Sequence, residues 1–143
     1  MREKCNRMID EIIVHCSASG PSTKMEDIRR WHIDKGWDDI GYNYVIESTG
    51  LIRMGREWSL IPAHCEGHNA HSIGVCLVGG FDGRTLHRFS ENQFKSLRVL
   101  LDGLFMQFGK IPVWGHSHYN KHKTCPNFDI NEWLKTGKAK YIT

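Results

Sequence analysis

Nowhere in this 143-residue chain does an apolar run approach the roughly 18 residues that a membrane span requires. The opening MREKCNRMIDEIIVHC likewise lacks the apolar stretch of a secretory signal, so the chain is expected to be made and folded in the cytoplasm, without membrane insertion. Disulfide scaffolding is disfavoured as well. The five cysteines, Cys5, Cys16, Cys65, Cys76 and Cys125, are odd in number and irregularly spaced, which points to reduced thiols. No repeat, low-complexity tract or linker interrupts the chain, and the Gly79-Gly80 pair stands in no phosphate-binding pattern. Strong charge of either sign is missing too. A formal charge of +3 is compatible with a polyanionic partner such as a nucleic acid or an anionic wall polymer, but ordinarily means only solubility, and no nucleic-acid partner is expected.

What is present is the composition of a folded globular protein, 40% hydrophobic and 24% charged. At this length one domain, residues 1–143, is expected to bury a core of its own. EIIVHC, from Glu11 to Cys16, is a β-branched run closed by the breaker-rich SASGPS, which predicts a buried strand with His15 near its end. Thr23 followed three residues later by Glu26 reads as a capping box, ahead of Met25, Ile28, Trp31 and His32 at helical spacing up to Gly36. GYNYVIES and LIRMG flank a Thr-Gly turn and predict a hairpin. SIGVCLVGG is apolar almost throughout, as a central strand covered on both faces would be. Ser90 and Gln93 form a second capping box, opening a helix whose stripe runs from Phe94 through Leu97, Leu101 and Leu104 to Phe108. KIPVWG predicts a last strand, and Asp129 with Glu132 a final short helix through Trp133 and Leu134. The stretch between Trp58 and Ala70 reads as an irregular surface loop. Strands and helices interleave, which predicts an α/β fold: a single domain with a central mixed β-sheet flanked by helices.

One segment stands out chemically. GHSHYNKHKTCPNFDI, from Gly115 to Ile130, brings His116, His118, His122, Lys121, Lys123 and Cys125 together. Three readings of it are open: a metal site, a cysteine nucleophile with a histidine base, or a solvated basic loop. Neutral imidazole and thiolate are preferred zinc ligands, and a catalytic zinc takes three protein ligands while keeping a fourth position open. His15, His116 and Cys125 are able to supply such a set if neighbouring strands bring them together. Against this, His116 and Cys125 match no tight ligand pair, and loop lysines are ordinarily solvated. His32 and His122 are read as structural, His68, His71 and His87 carry no signal alone, and Cys16 and Cys76 read as small core residues.

The ordered set IIVHCSAS, IRRWHIDKGWDDIGYNYVI, PAHCEGHNAHSIGVCLVGG and KTCPNFDI resembles the zinc-dependent N-acetylmuramoyl-L-alanine amidases, the family of the small phage amidases and the peptidoglycan-recognition proteins, over a core from about Glu11 to Leu134. The phage-type branch is the most similar. The resemblance implies a mixed sheet flanked by helices with Zn2+ in an open cleft, held by His15, His116 and Cys125, with His118 as the alternative second ligand. It further implies Tyr42 and Lys123 as active-site residues, and His64 and Asn69, in AHCEGHN, as substrate contacts on the cleft wall. The branch with an aspartate ligand and a glutamate base is not what these residues match. The implied activity is hydrolysis of the amide between N-acetylmuramic acid and L-alanine in peptidoglycan, as in an endolysin, by a monomer reaching the cell wall after release. Members of the phage-type branch also take a regulatory protein partner, and nothing in this chain identifies one. Two other classes stay in play: a metal-independent cysteine hydrolase, and a module that binds peptidoglycan without cutting it.

Overall fold

The structure, a computed structural model, describes residues 8–58 and 71–143. The expected loop between Trp58 and Ala70 falls almost entirely outside the described residues. So do His64, Asn69, Cys5, Cys65 and His68.

Strand β1 (Glu11–Cys16) is buried at all six positions, as its β-branched run requires. It lies in a five-stranded sheet of order β3-β2-β4-β1-β7. Its neighbours are β4 (Ser72–Leu77) and β7 (Val113–Gly115), both parallel to it. Strand β2 (Tyr44–Ile46) runs parallel to β4 on its other side, and β3 (Ile52–Met54) pairs antiparallel with β2. The sheet is therefore mixed, as the interleaved pattern predicts. Four parallel strands send their carboxyl ends to one edge. A two-stranded ribbon of β5 (Gly80–Phe81) and β6 (Leu86–His87), which the sequence pattern did not announce, follows β4.

Alternation along β1 divides the core. Ile12, Val14 and Cys16 face the cluster built by Leu97, Leu101 and Leu104 of helix α2 (Glu91–Phe108), together with Phe128 and Trp133. On the other face, Val45 and Cys76 pack with Met25 and Ile28 of helix α1 (Met25–Asp34) and with Ile40. His15, adjacent to Cys76 in register, shares that second face.

The caps explain how the helices are placed. In α2 the expected capping box forms: Ser90 Oγ accepts the Gln93 N–H at 3.1 Å, and Gln93 Oε1 accepts the Ser90 N–H at 2.8 Å. The Gln93 amide then donates to the carbonyls of Ile46 and Val78, tying the helix to two sheet strands' ends. Helix α3 (Ile130–Thr136) starts as expected at Asp129, whose carboxylate accepts the N–H groups of Asn131 and Glu132. Helix α1 differs. Its cap residue is Lys24, not Thr23, and the first-turn amides are satisfied by carboxylates of Asp27 and Glu47. Glu47 comes from the turn after β2, so the helix start is set by a partner distant in sequence. The hairpin also differs, with a four-residue turn from Glu47 to Gly50 closed by the Gly50 N–H on the Glu47 carbonyl.

Candidate metal and catalytic centre

The residue at the penultimate position of β1 and the residue immediately after β7 lie side by side because the two strands pair in parallel. They are His15, 1% exposed, and half-buried His116, with ring centroids 4.6 Å apart. From His116 the chain makes a single 3₁₀ turn, His116–His118, and loops back. Two contacts hold the return: Ser117 N–H donates to the Cys125 carbonyl at 2.9 Å, and Cys16 N–H donates to Cys125 Sγ at 2.8 Å. One ligand atom from each of His15, His116 and Cys125 lies within 4.8 Å of the others. This is the grouping that the sequence allowed but could not compel.

His118 is elsewhere. Its ring stacks flat on Trp114 at 4.0 Å, exposed to solvent and outside the donor group. Two positions apart in a turn of three residues, the two side chains leave the axis in different directions, His116 towards His15 and His118 onto Trp114.

Tyr42 stands next to the donors, its ring 5.1 Å from His15. Lys123 lines the same pocket, which has a volume of about 490 Å³. Burial, reinforced by the positive charge of Lys123, holds the His116 imidazole below its ordinary range, in the neutral form that binds metals. Burial pushes the Cys125 thiol well up. A cation at this spot is what would draw off that proton. Burial also raises the Tyr42 phenol well above its ordinary value, leaving it an O–H donor at neutral pH.

Behind the donors is a residue that no motif or spacing singles out. Asn127 is 2% exposed and has a positive φ of 70°. Its Oδ1 accepts the Phe81 N–H at 2.8 Å and the Cys16 thiol at 3.2 Å. Its Nδ2 donates to Thr124 Oγ1 and the Ile142 carbonyl. The Cys125 loop is thereby pinned to β1, to β5 and to the C-terminal segment at once. Gly80 permits this: with φ +92°, it offers a site where a Cβ would meet Cys16 Sγ at 2.6 Å and Asn127 Oδ1 at 2.7 Å. The glycine pair after β4 therefore serves close packing. Cys16, read as a core residue, does belong to the core and also buttresses Cys125.

His32 is structural as expected, buried with its Nδ1 accepting the Gly41 N–H at 2.8 Å. It also lines the pocket. His122 is an exposed loop residue on the pocket rim.

A donor group opening to solvent at the carboxyl ends of parallel strands, in a mixed sheet covered by helices on both faces, defines the class of small α/β domains found in amidases and peptidoglycan-recognition proteins. Comparison with known proteins agrees. The family model described as N-acetylmuramoyl-L-alanine amidase matches residues 6–128. The endolysin of Escherichia phage T7 is 41% identical over 128 residues, covering 87% of this chain and 84% of that protein. Peptidoglycan-recognition protein SC2 of Drosophila melanogaster is 36% identical over 128 residues, covering 85% of this chain and 67% of that protein. Among solved structures, the endolysin amidase LysCS from Clostridium intestinale superposes with a TM-score of 0.81 at 23% identity, over 95% of this chain and 88% of that one, a likeness of fold. The chain belongs to the N-acetylmuramoyl-L-alanine amidase family, and it is an enzyme of that kind.

Proposed function

We propose that the protein cleaves the amide bond between N-acetylmuramic acid and L-alanine in peptidoglycan, using Zn2+ held by His15, His116 and Cys125. The observation that carries this reading is the convergence of those three donors, from two strand ends and a returning loop, within 4.8 Å. Two neutral imidazoles and a thiolate are a donor set that suits zinc, and zinc–ligand bonds of about 2.0–2.3 Å fit that spread. When bound, the ion supplies a Lewis acid and makes water acidic enough to act as a nucleophile near neutral pH.

The chain's own groups do the rest. Lys123 brings a positive charge close enough to influence His116, and in the reaction it stabilises the negative charge that develops on the scissile carbonyl oxygen. Tyr42, protonated and held against His15, donates its O–H to orient the reacting groups. Asn127 and the Cys16 amide keep Cys125 directed at the histidines. His64 and Asn69, outside the described residues, are carried as substrate contacts by the family pattern. The relatives named endolysins support action on the wall of a host cell after release. No helix among the described residues is long and apolar enough to cross a membrane.

Chelation is the discriminating experiment. Muropeptide release should disappear on treatment with a strong chelator and return with added zinc, and mass spectrometry of the products should locate the cut at the lactyl–alanine amide. Activity that survives chelation but fails on thiol alkylation would instead make Cys125 a nucleophile, and binding without release would make the domain a recognition module.

A further inference from the structure

Three free cysteines stand among the described residues, Cys16, Cys76 and Cys125, and two of them share one face of the sheet. Cys16 belongs to the core cluster against which Cys125 packs, whereas Cys76 lies in the cluster on the opposite face. Both backbone groups of Cys16 address the Cys125 sulfur. The N–H donates to Cys125 Sγ at 2.8 Å, and the carbonyl faces the Cys125 thiol at 3.8 Å. The two thiols also lie within hydrogen-bonding reach of each other. Both line the central pocket, whose volume of about 490 Å³ admits a small oxidant, and Cys76 does not.

Such proximity matters because a disulfide forms without backbone movement only between residues already side by side. The thiol proton of Cys16 is also dispensable. It is donated to Asn127 Oδ1 at 3.2 Å, and that oxygen accepts the Phe81 N–H as well, so the asparagine stays satisfied when the thiol is lost. Oxidation of an isolated cysteine runs on from sulfenic to sulfinic and sulfonic acids, which thiols do not reverse. A second thiol at contact distance diverts the sulfenic stage into a disulfide, which thiols do reverse.

We infer that Cys16 is a resolving thiol for Cys125: in the metal-free protein, hydrogen peroxide converts the pair to a Cys16–Cys125 disulfide, a reversible modification that closes the donor group to metal. One sulfur attacks the peroxide O–O bond, keeping one oxygen as a sulfenic acid and releasing the other as water. The second sulfur displaces the sulfenic oxygen as a second water, and the S–S bond forms. The two thiols give up two hydrogens and two electrons in all, and one peroxide is reduced to two waters. The effect on metal rests on the reading of Cys125 as a zinc ligand. A sulfur in a disulfide has no thiolate to offer, and a sulfur engaged as a ligand is a poorer nucleophile, so the two states exclude each other.

The test treats chelator-stripped and zinc-loaded protein with hydrogen peroxide and maps their peptides without reduction. Stripped protein kept from peroxide is the control and should regain its zinc. After peroxide, stripped protein should yield a linked Cys16–Cys125 peptide pair, lighter than the two free peptides by two hydrogens. Its zinc uptake should fall from about one equivalent to a small fraction, and return after dithiothreitol. In zinc-loaded protein the linkage should form at least about tenfold more slowly. Cys16→Ser keeps a donor for Asn127 Oδ1 and removes the second sulfur. Its Cys125 should gain oxygen instead, and dithiothreitol should no longer restore zinc uptake. Stripped wild-type protein that forms no such pair, or that links Cys125 to another cysteine, overturns the inference and leaves the zinc reading intact. Full recovery of zinc uptake by Cys16→Ser overturns the resolving role in the same way. Equal linkage rates with and without zinc, or a control that takes up no zinc, overturn Cys125 as a ligand while the disulfide stands.

Discussion

The backbone N–H of Cys16 points at the sulfur of Cys125, 2.8 Å away and 109 positions along the chain. An amide donor at that sulfur stabilises the thiolate over the thiol and aims it at the two imidazoles. Cys125→Ser should accordingly lower bound zinc from about one equivalent to a small fraction and abolish muropeptide release. Metal analysis of purified protein checks the first effect independently of the second. Full zinc content in the variant would remove Cys125 from the ligand set.

Tyr42 and Lys123 are assigned to chemistry and not to metal holding, so their variants should separate the two. Tyr42→Phe removes only the hydroxyl and is expected to keep zinc while slowing turnover about 10²-fold. Lys123→Ala should also keep zinc and cost about 10-fold to 10²-fold, since its side chain is exposed and its charge partly screened. Wild-type rates in either variant would remove the assigned role.

Stability should depend on pH through His32. Burial lowers its pKa to about 4 from the ordinary 6.5, and a proton on Nδ1 would destroy the hydrogen bond from Gly41. Between those values the unfolded chain binds a proton that the folded one excludes, so folding loses stability as pH falls from 6.5 towards 4. The loss amounts to about 2–4 kcal/mol over the full window. Urea denaturation at pH 7, 5.5 and 4.5 should give a shallower pH dependence for His32→Gln than for the wild type.

Asn127 should matter for both stability and metal affinity. Asn127→Ala strands the Phe81 N–H and the Thr124 hydroxyl and places an alanine at positive φ, which together should cost about 2–4 kcal/mol and weaken zinc binding. Asn127→Gly relieves the backbone strain without restoring the hydrogen bonds. If glycine recovers stability and zinc affinity in thermal and metal-competition measurements, the side-chain role fails.

Where local pattern decides the structure, the sequence was legible. The β-branched run of β1 ends where its apolar pattern ends, and the Ser90 and Gln93 caps open α2 as read. The three grouped side chains, His15, His116 and Cys125, were nameable because imidazole and thiolate are chemically distinctive, while which of His116 and His118 lies beside the other two depends on the turn geometry. What escaped depends on partners far apart in sequence. Glu47 starts α1 from the end of another element, β5 and β6 form a ribbon too short for periodicity to register, and Asn127 looks like any loop asparagine until four segments meet around it.

Strand β1 is the first strand in the chain, yet it is flanked in the sheet by β4 and by β7, which begins at Val113. Until the polypeptide has been synthesised through that late segment and docked, His15 lacks the neighbouring His116 and Cys125. If these three side chains hold the metal, a chain still emerging from the ribosome would be inert, and uptake of metal would report that assembly of the domain is finished.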